Sequence, residues 1–277
     1  MFKWWRDRQR EKILEKPFPE AFNAIIKRYV GHARFLSPEE RQRLREMVQV
    51  FVEEKTFVGC GGLEITDDIR VTIAANACML ILGREHDLYR RVESINVYPS
   101  TVLVPGRSEW HPDKDPQEPK AILGQAILRG PVIVVWDAVK RGSRAPWSGH
   151  NVVMHEFAHK LDMLDDDVDG TPLLPSRAKY ENWSEVCGEV YFDLKKRVRA
   201  GRKTLLGSYA ATNEAEFFAV ATEVFFERPR ELAKAHKRLY WLLAEYYNQD
   251  PGARMPGKGP RNARKRRGKP RRALSMS

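Results

Sequence analysis

The segment Asn151-Val152-Val153-Met154-His155-Glu156-Phe157-Ala158-His159-Lys160-Leu161-Asp162 holds the residues best suited to chemistry. His155 and His159 stand four apart, so on a helix their imidazoles leave one face about one turn apart and reach a common point. Neutral imidazole nitrogen is a good zinc ligand, and a zinc ion with three protein ligands keeps its fourth position for water. Glu156 follows the first histidine directly. It lies too far round the helix to join the same bonds easily, yet close enough to touch that water. It can take a proton as the water attacks a peptide carbonyl and return it to the leaving amine. Apolar Val152, Val153, Phe157, Ala158 and Leu161 cover the rest of the surface, as a buried active-site helix requires.

Two histidines leave such a site one protein ligand short. A metzincin would carry Gly at 162 and His at 165, where this chain has Asp162 and Asp165. Asp165 could ligate as an aspartate, but without the glycine turn the chain would struggle to fold back onto the metal. The gluzincin arrangement takes a glutamate from a second, downstream helix instead. Asn213 to Phe226 is an apolar helical pattern carrying Glu214, Glu216 and Glu223. Buried carboxylates need partners, because an unpaired buried charge is costly, and a metal is one such partner. Glu216 and Glu223 lie two turns apart on one face while Glu214 points elsewhere. Periodicity favours Glu216 or Glu223 and does not choose between them.

These residues need elements to hold them. Ser37-Pro38-Glu39-Glu40 is a helix start with a capping box, and Leu44, Met47, Val48 and Phe51 then share one face to about Lys55. Gly59 to Gly62 breaks the chain, and a second helix is predicted from Asp67 to Leu82. Strand-like patches follow at 92–97 and 122–128, and Pro131 to Trp136 is a short buried-strand run. Helices return at 151–164, 177–199, 213–227 and 229–247. No internal repeat is visible. The expected fold is α+β: an all-helical N-terminal part to about residue 85, a small mixed sheet with an edge strand beside the active-site helix, and a helical C-terminal part. Residues 132–136 are the expected edge, to which an extended peptide could add by backbone pairing.

A length of 277 residues with 42% hydrophobic and 31% charged residues reads as a soluble globular chain, with no apolar run long enough to cross a bilayer. The basic opening, residues 1–14, has no apolar stretch behind it to act as a signal peptide. Cys60, Cys78 and Cys187 are an odd, widely spaced set that suits a reducing compartment, so a cytoplasmic location is expected. The net charge of +11 suggests a nucleic-acid binder until it is located: ten basic residues and no acid follow Asp250, which leaves residues 1–250 close to neutral. Residues 251–277, rich in Pro, Gly, Arg and Lys, read as a disordered tail, with weak polyanion contact through 254–272 as its sharpest use. The peptidase domain is then 15–250.

Three stretches, 132–136, 151–162 and 209–226, together resemble the Mlc titration factor A family of bacterial zinc peptidases, which are gluzincin-like; the likeness runs in order over about residues 15–250. The resemblance implies one zinc ion per chain on His155, His159 and Glu216, with Glu156 catalytic. Tyr209 matches a family tyrosine near the metal whose phenol could stabilise the oxyanion. Asp162 and Glu223 are then candidates to hold the imidazole N–H groups. The resemblance also implies aminopeptidase-like activity, for which the acidic stretch 165–169 could attract a free amino terminus, and binding to a glucose-responsive transcriptional repressor. One departure is Glu214, where the family often has proline; the spacing from Tyr209 keeps Glu216 as the match. The basic tail is outside the pattern.

Overall fold

A computed structural model describes residues 2–84, 86–100, 102–104, 120–122, 124–126 and 130–254. Three helices open it: α1 (Phe2–Leu14), α2 (Glu20–Tyr29) and α3 (Pro38–Glu54). The Ser37 capping box is formed, with the Glu40 N–H donating to Ser37 Oγ at 3.2 Å and the Ser37 N–H to Glu40 Oε2 at 2.9 Å. Helix α1 lies on α3, where Arg10 pairs with Glu54 and Asp87 and the Gln49 amide donates to the Ile13 and Lys16 carbonyls.

The N-terminal part is not all helical. Thr56–Gly59 forms a strand, β1, because Thr56, Phe57 and Val58 find a parallel partner in β2 (Ser94–Tyr98), with Phe57 opposite Ile95. The crossover between them is α4 (Asp67–Leu80), buried along its whole length from Val71 onwards. Strands β3 (Val102–Val104) and β4 (Lys120–Ile122) pair separately and antiparallel. Strands β5 (Gly124–Ala126) and β6 (Val132–Val135) complete the main sheet, whose order is β1-β2-β6-β5. The first three are parallel, and β5 runs antiparallel to β6.

That order corrects the expected edge. Residues 132–135 sit between β2 and β5, so β6 is internal, and Trp136 opens helix α5 (Trp136–Arg144). Val132, Val134 and Val135 are buried, and β5 folds back to pair with the side of β6 that the sequence left open. The outer strand on that side is β5, and it is β5 that lies against the helix carrying the histidines. Of the strand patch expected at 122–128, residues 123, 127 and 128 fall outside the described residues.

The remaining helices are α6 (Val152–Asp162), α7 (Arg177–Arg199), α8 (Glu214–Glu227), α9 (Pro229–Ala235), α10 (Lys237–Tyr247) and α11 (Pro251–Arg254). The single helix expected over 229–247 is broken at His236. The break lets α9 stay against α8 while α10 reaches α7, burying Leu239, Leu243 and Tyr247. Helices α6 and α8 pack together at the centre. Phe157 of α6 meets Tyr89 edge-on at 4.9 Å between ring centroids, with Phe51 next to both. Cys78 fills the core, and Cys60 and Cys187 are half-buried. Residues 251–254, expected to begin the disordered tail, form α11, which Arg254 ties down by pairing with Glu40. The rest of the tail, on which the polyanion expectation falls, lies outside the described residues.

Candidate metal centre

Both helices that carry the site are started by asparagine caps. Asn151 Oδ1 accepts the Met154 N–H at 3.2 Å to open α6, and Asn213 Oδ1 accepts the Glu216 N–H at 2.8 Å to open α8. The caps fix the first turns from which His155 and Glu216 project. Gly170 packs the end of α6 against the start of α8 at a φ of +79°, and a Cβ there would come within 2.3 Å of the Glu214 carbonyl oxygen. Its N–H donates to Asp162 at 3.0 Å and its carbonyl accepts the Trp183 indole N–H at 3.1 Å.

Three side-chain atoms converge between the helices. His155 Nε2 and His159 Nε2 are 3.2 Å apart, and Glu216 Oε2 lies 3.1 Å from the first and 3.5 Å from the second. A tetrahedral ion bonded at about 2.0–2.1 Å holds its ligand atoms about 3.3 Å apart, so the spacing is that of a coordination sphere. The donor set, two imidazoles and one carboxylate, suits a divalent metal of intermediate softness. It is the group of metal-ligating side chains found among the described residues.

The surroundings bias each ligand. His155 Nδ1 lies 2.7 Å from Glu223 Oε1, and Glu223 Oε2 accepts the Asn151 backbone N–H at 2.6 Å. With its Nδ1 proton committed to Glu223, His155 presents an Nε2 lone pair to the centre. Burial disfavours the charged His155 ring, but Glu223 and Glu216 outweigh it and raise its pKa well above the usual value. Burial lowers that of His159. Burial alone would raise Glu216, yet its bonds to both imidazoles hold it well below the usual carboxylate range. Glu156 is buried beside them, and burial pushes its carboxyl up to about 8.

Tyr209 opens a short 3-10 turn before α8, with its residue 54% exposed and its hydroxyl donating to Glu216 Oε1 at 2.9 Å. Burial of the hydroxyl and the Glu216 charge both raise its pKa. His155, His159, Glu216, Glu223 and Tyr209 are therefore brought together by direct contacts, and Glu156 by its place on the same turn of α6. Asp162 is directed elsewhere: its hydrogen bond goes to Gly170. Glu214 and Asp165, the weaker alternatives for the third ligand, are both exposed.

Four polar residues behind the site carried no assigned role on sequence. Asn76, Asn151, Glu227 and His32 form a buried network, with Glu227 wholly inaccessible and His32 Nε2 2.7 Å from its Oε1. The available signal was Glu227 itself, one turn beyond Glu223 on an apolar helix. Nothing around His32 marked it out.

These features give a candidate divalent-metal site on a mostly helical α+β fold. The sequence model of the glucose-regulated metallo-peptidase M90 family matches residues 2–248, and the chain belongs to that family. It is 36% identical over 250 residues to an uncharacterized protein of Synechocystis sp., covering 89% of this chain and 90% of the other. It is 29% identical over 273 residues to Mlc titration factor A of Klebsiella pneumoniae, covering 96% and 99%. Against Mlc titration factor A of Escherichia fergusonii the identity is 28% over 261 residues, covering 92% and 94%.

Proposed function

We propose that the chain is a zincin-like, gluzincin-type peptidase that holds one zinc ion on His155, His159 and Glu216 and cuts peptide bonds with Glu156 as general base. The observation that carries the reading is the convergence of those three ligand atoms to within 3.5 Å of one another. A zinc ion there supplies Lewis acidity toward a carbonyl oxygen and makes a water more acidic. Glu156, held in a dry environment, accepts the proton of the attacking water and passes it to the leaving amine. The Tyr209 hydroxyl, now on Glu216, is near enough to turn to the oxyanion and donate to it. Glu223 fixes the tautomer and rotation of His155. Asp162 acts through Gly170, seating the loop against the first turn of α8. Strand β5, as the edge beside α6, offers its backbone to an extended substrate.

The acidic stretch 165–169 supports an aminopeptidase-like preference, since it follows α6 directly and Asp165, Asp167 and Asp169 are exposed to meet an amino terminus. The peptidase domain is assigned to residues 15–250 and the location to the cytoplasm; no helix of the described residues is long and apolar enough to cross a membrane. Metal analysis and a peptide-library digest of wild type and Glu156→Gln test the whole reading. One equivalent of zinc in both proteins, with cleavage in the first alone, supports it. Full cleavage by Glu156→Gln ends it.

The name shared by the Klebsiella and Escherichia relatives supports a second role, binding to a Mlc-like transcriptional repressor. Capture of such a repressor by both wild type and His155→Ala would separate that role from catalysis. No capture by either protein would remove it. Polyanion contact through 254–272 is kept as a separate proposal, tested by salt-dependent nucleic-acid retention with and without those residues.

A further inference from the structure

The buried network behind the metal centre is continuous. His155 Nδ1 meets Glu223 at 2.7 Å, and Glu223 accepts the Asn151 N–H at 2.6 Å. The Asn151 side chain then divides its two ends. Its Oδ1 accepts the Met154 N–H, and its Nδ2 donates to Asn76 Oδ1 at 2.9 Å and toward Glu227 Oε1 at 3.5 Å. Asn76 is held in turn, its amide donating to Ser143 Oγ at 2.9 Å and the Thr72 carbonyl at 2.8 Å. Glu227 receives His32 Nε2 at 2.7 Å and the Ser148 hydroxyl at 3.3 Å.

Such an arrangement has one consistent orientation. An amide reversed at Asn151 would turn its N–H groups toward the Met154 N–H and its oxygen toward the Glu227 carboxylate, leaving buried donors and acceptors facing their own kind. The Asn76 oxygen and the Glu227 charge therefore together select which end of Asn151 caps α6. His32 holds that charge in a place where an unpartnered carboxylate would be expensive. The cap sets where the Asn151 N–H points, hence where Glu223 sits, hence how the His155 ring is turned.

We propose that Glu227 and His32 are positioning residues of the metal centre, acting through the Asn151 cap and Glu223 to orient His155. The proposal rests on the metal reading of that site. It goes beyond that reading in making a pair without contact to any ligand set the ligand's geometry.

The test compares wild type, Glu227→Gln, His32→Ala and His32→Gln, with Tyr240→Phe as a control that removes hydrogen bonds to Asp250 and Gly252 that are no part of the network. Zinc affinity is read by competition with a chromophoric chelator, and ligand geometry by the visible spectrum of the cobalt-substituted proteins. Glu227→Gln and His32→Ala are expected to bind zinc about tenfold more weakly with an altered cobalt spectrum, a loss of the size seen for outer partners of metal ligands. His32→Gln, which places an N–H near the position of Nε2, should recover affinity to within about threefold. Tyr240→Phe should lower the melting temperature and leave both metal readouts unchanged. Zinc affinities within about twofold of wild type in Glu227→Gln and His32→Ala, with superimposable cobalt spectra, overturn the proposal. If Glu227→Gln does not fold, the two His32 variants decide. Wild type that holds no zinc would remove the peptidase reading instead. The positioning claim is then decided on metal-free protein by the downfield proton of His155 Nδ1–H: a shift in His32→Ala upholds it, and an unmoved signal overturns it.

Discussion

The two ends of helix α8 hold buried carboxylates on one sequence pattern and use them in opposite ways. At the first turn Glu216 is 6% exposed and gives one oxygen to the meeting point of two imidazoles and the other to a tyrosine that faces solvent. Two turns on, Glu223 is equally buried, yet both its oxygens are taken by N–H groups of α6, and Glu227 beyond it is sealed completely. Burial alone does not make a ligand. A carboxylate whose oxygens already have donors is a brace, and one left with an oxygen facing lone pairs is a site for a cation.

That contrast breaks most sharply at the open end. Glu216→Ala should weaken zinc binding by at least about a thousandfold, because two imidazoles without the carboxylate leave the ion half bound. Dialysis followed by metal analysis reads it, and a stoichiometric zinc in that variant would move the ligand role to another acid. Tyr209→Phe comes next. Loss of a single oxyanion donor costs about a hundredfold in kcat. Zinc content should stay at wild-type level, since the phenol touches Glu216 and is no ligand itself. Equal losses in metal content and rate would make Tyr209 a prop for Glu216.

The sealed end should respond through affinity. Glu223→Gln keeps the shape but faces an N–H donor with an amide that offers a single acceptor oxygen, so one of its two partners is lost. Metal affinity should fall by about 10- to 100-fold, the range found when the partner of a ligating histidine is removed. Chelator competition on the folded variant measures it. A Glu223→Gln protein that holds zinc as tightly as wild type would erase the distinction between brace and bystander.

The pairing of the two histidines was legible in the sequence because it is local. His155, Glu156 and His159 lie within one turn, and their placement follows from helical period alone. The cap expected at Ser37 is local too and is formed, whereas the caps that Asn151 and Asn213 supply were not among the sequence expectations. The third ligand was not decidable from period, since Glu216 and Glu223 share a face; what separates them is the set of donors that α6 presents, a tertiary fact. The edge strand failed for the same reason. Residues 132–135 pair on both sides only because β5 folds back along β6, and three residues of β5 carry little signal of their own. Strand β1 was hidden by shortness, and the bend at His236 by an apolar periodicity that runs straight through it. His32, about 195 residues from Glu227 in sequence, had no local mark at all.

Asp162 offers the finest test of what a buried carboxyl needs. It is wholly buried at the end of α6 with the Gly170 N–H at 3.0 Å, and its Oδ1 has no hydrogen-bond partner among the described residues. Burial pushes its carboxyl up to about 8, against an ordinary value of 3.8. Between those values the folded protein keeps a proton that the unfolded chain has released. The native state therefore binds more protons, and stability must fall as pH rises through that window, being full below about 4 and lost above about 8. Asp162→Asn keeps an acceptor for Gly170 and removes the ionisation. Its stability should change less than that of wild type between pH 5 and 8.5, by about 4 kcal/mol at about 1.4 kcal/mol per pH unit, as read from urea unfolding of the metal-free proteins. Parallel pH profiles for the two proteins would mean that the carboxyl is ionised throughout. Asp162 would then be a second braced acid like Glu223, with a donor to its Oδ1 supplied by water.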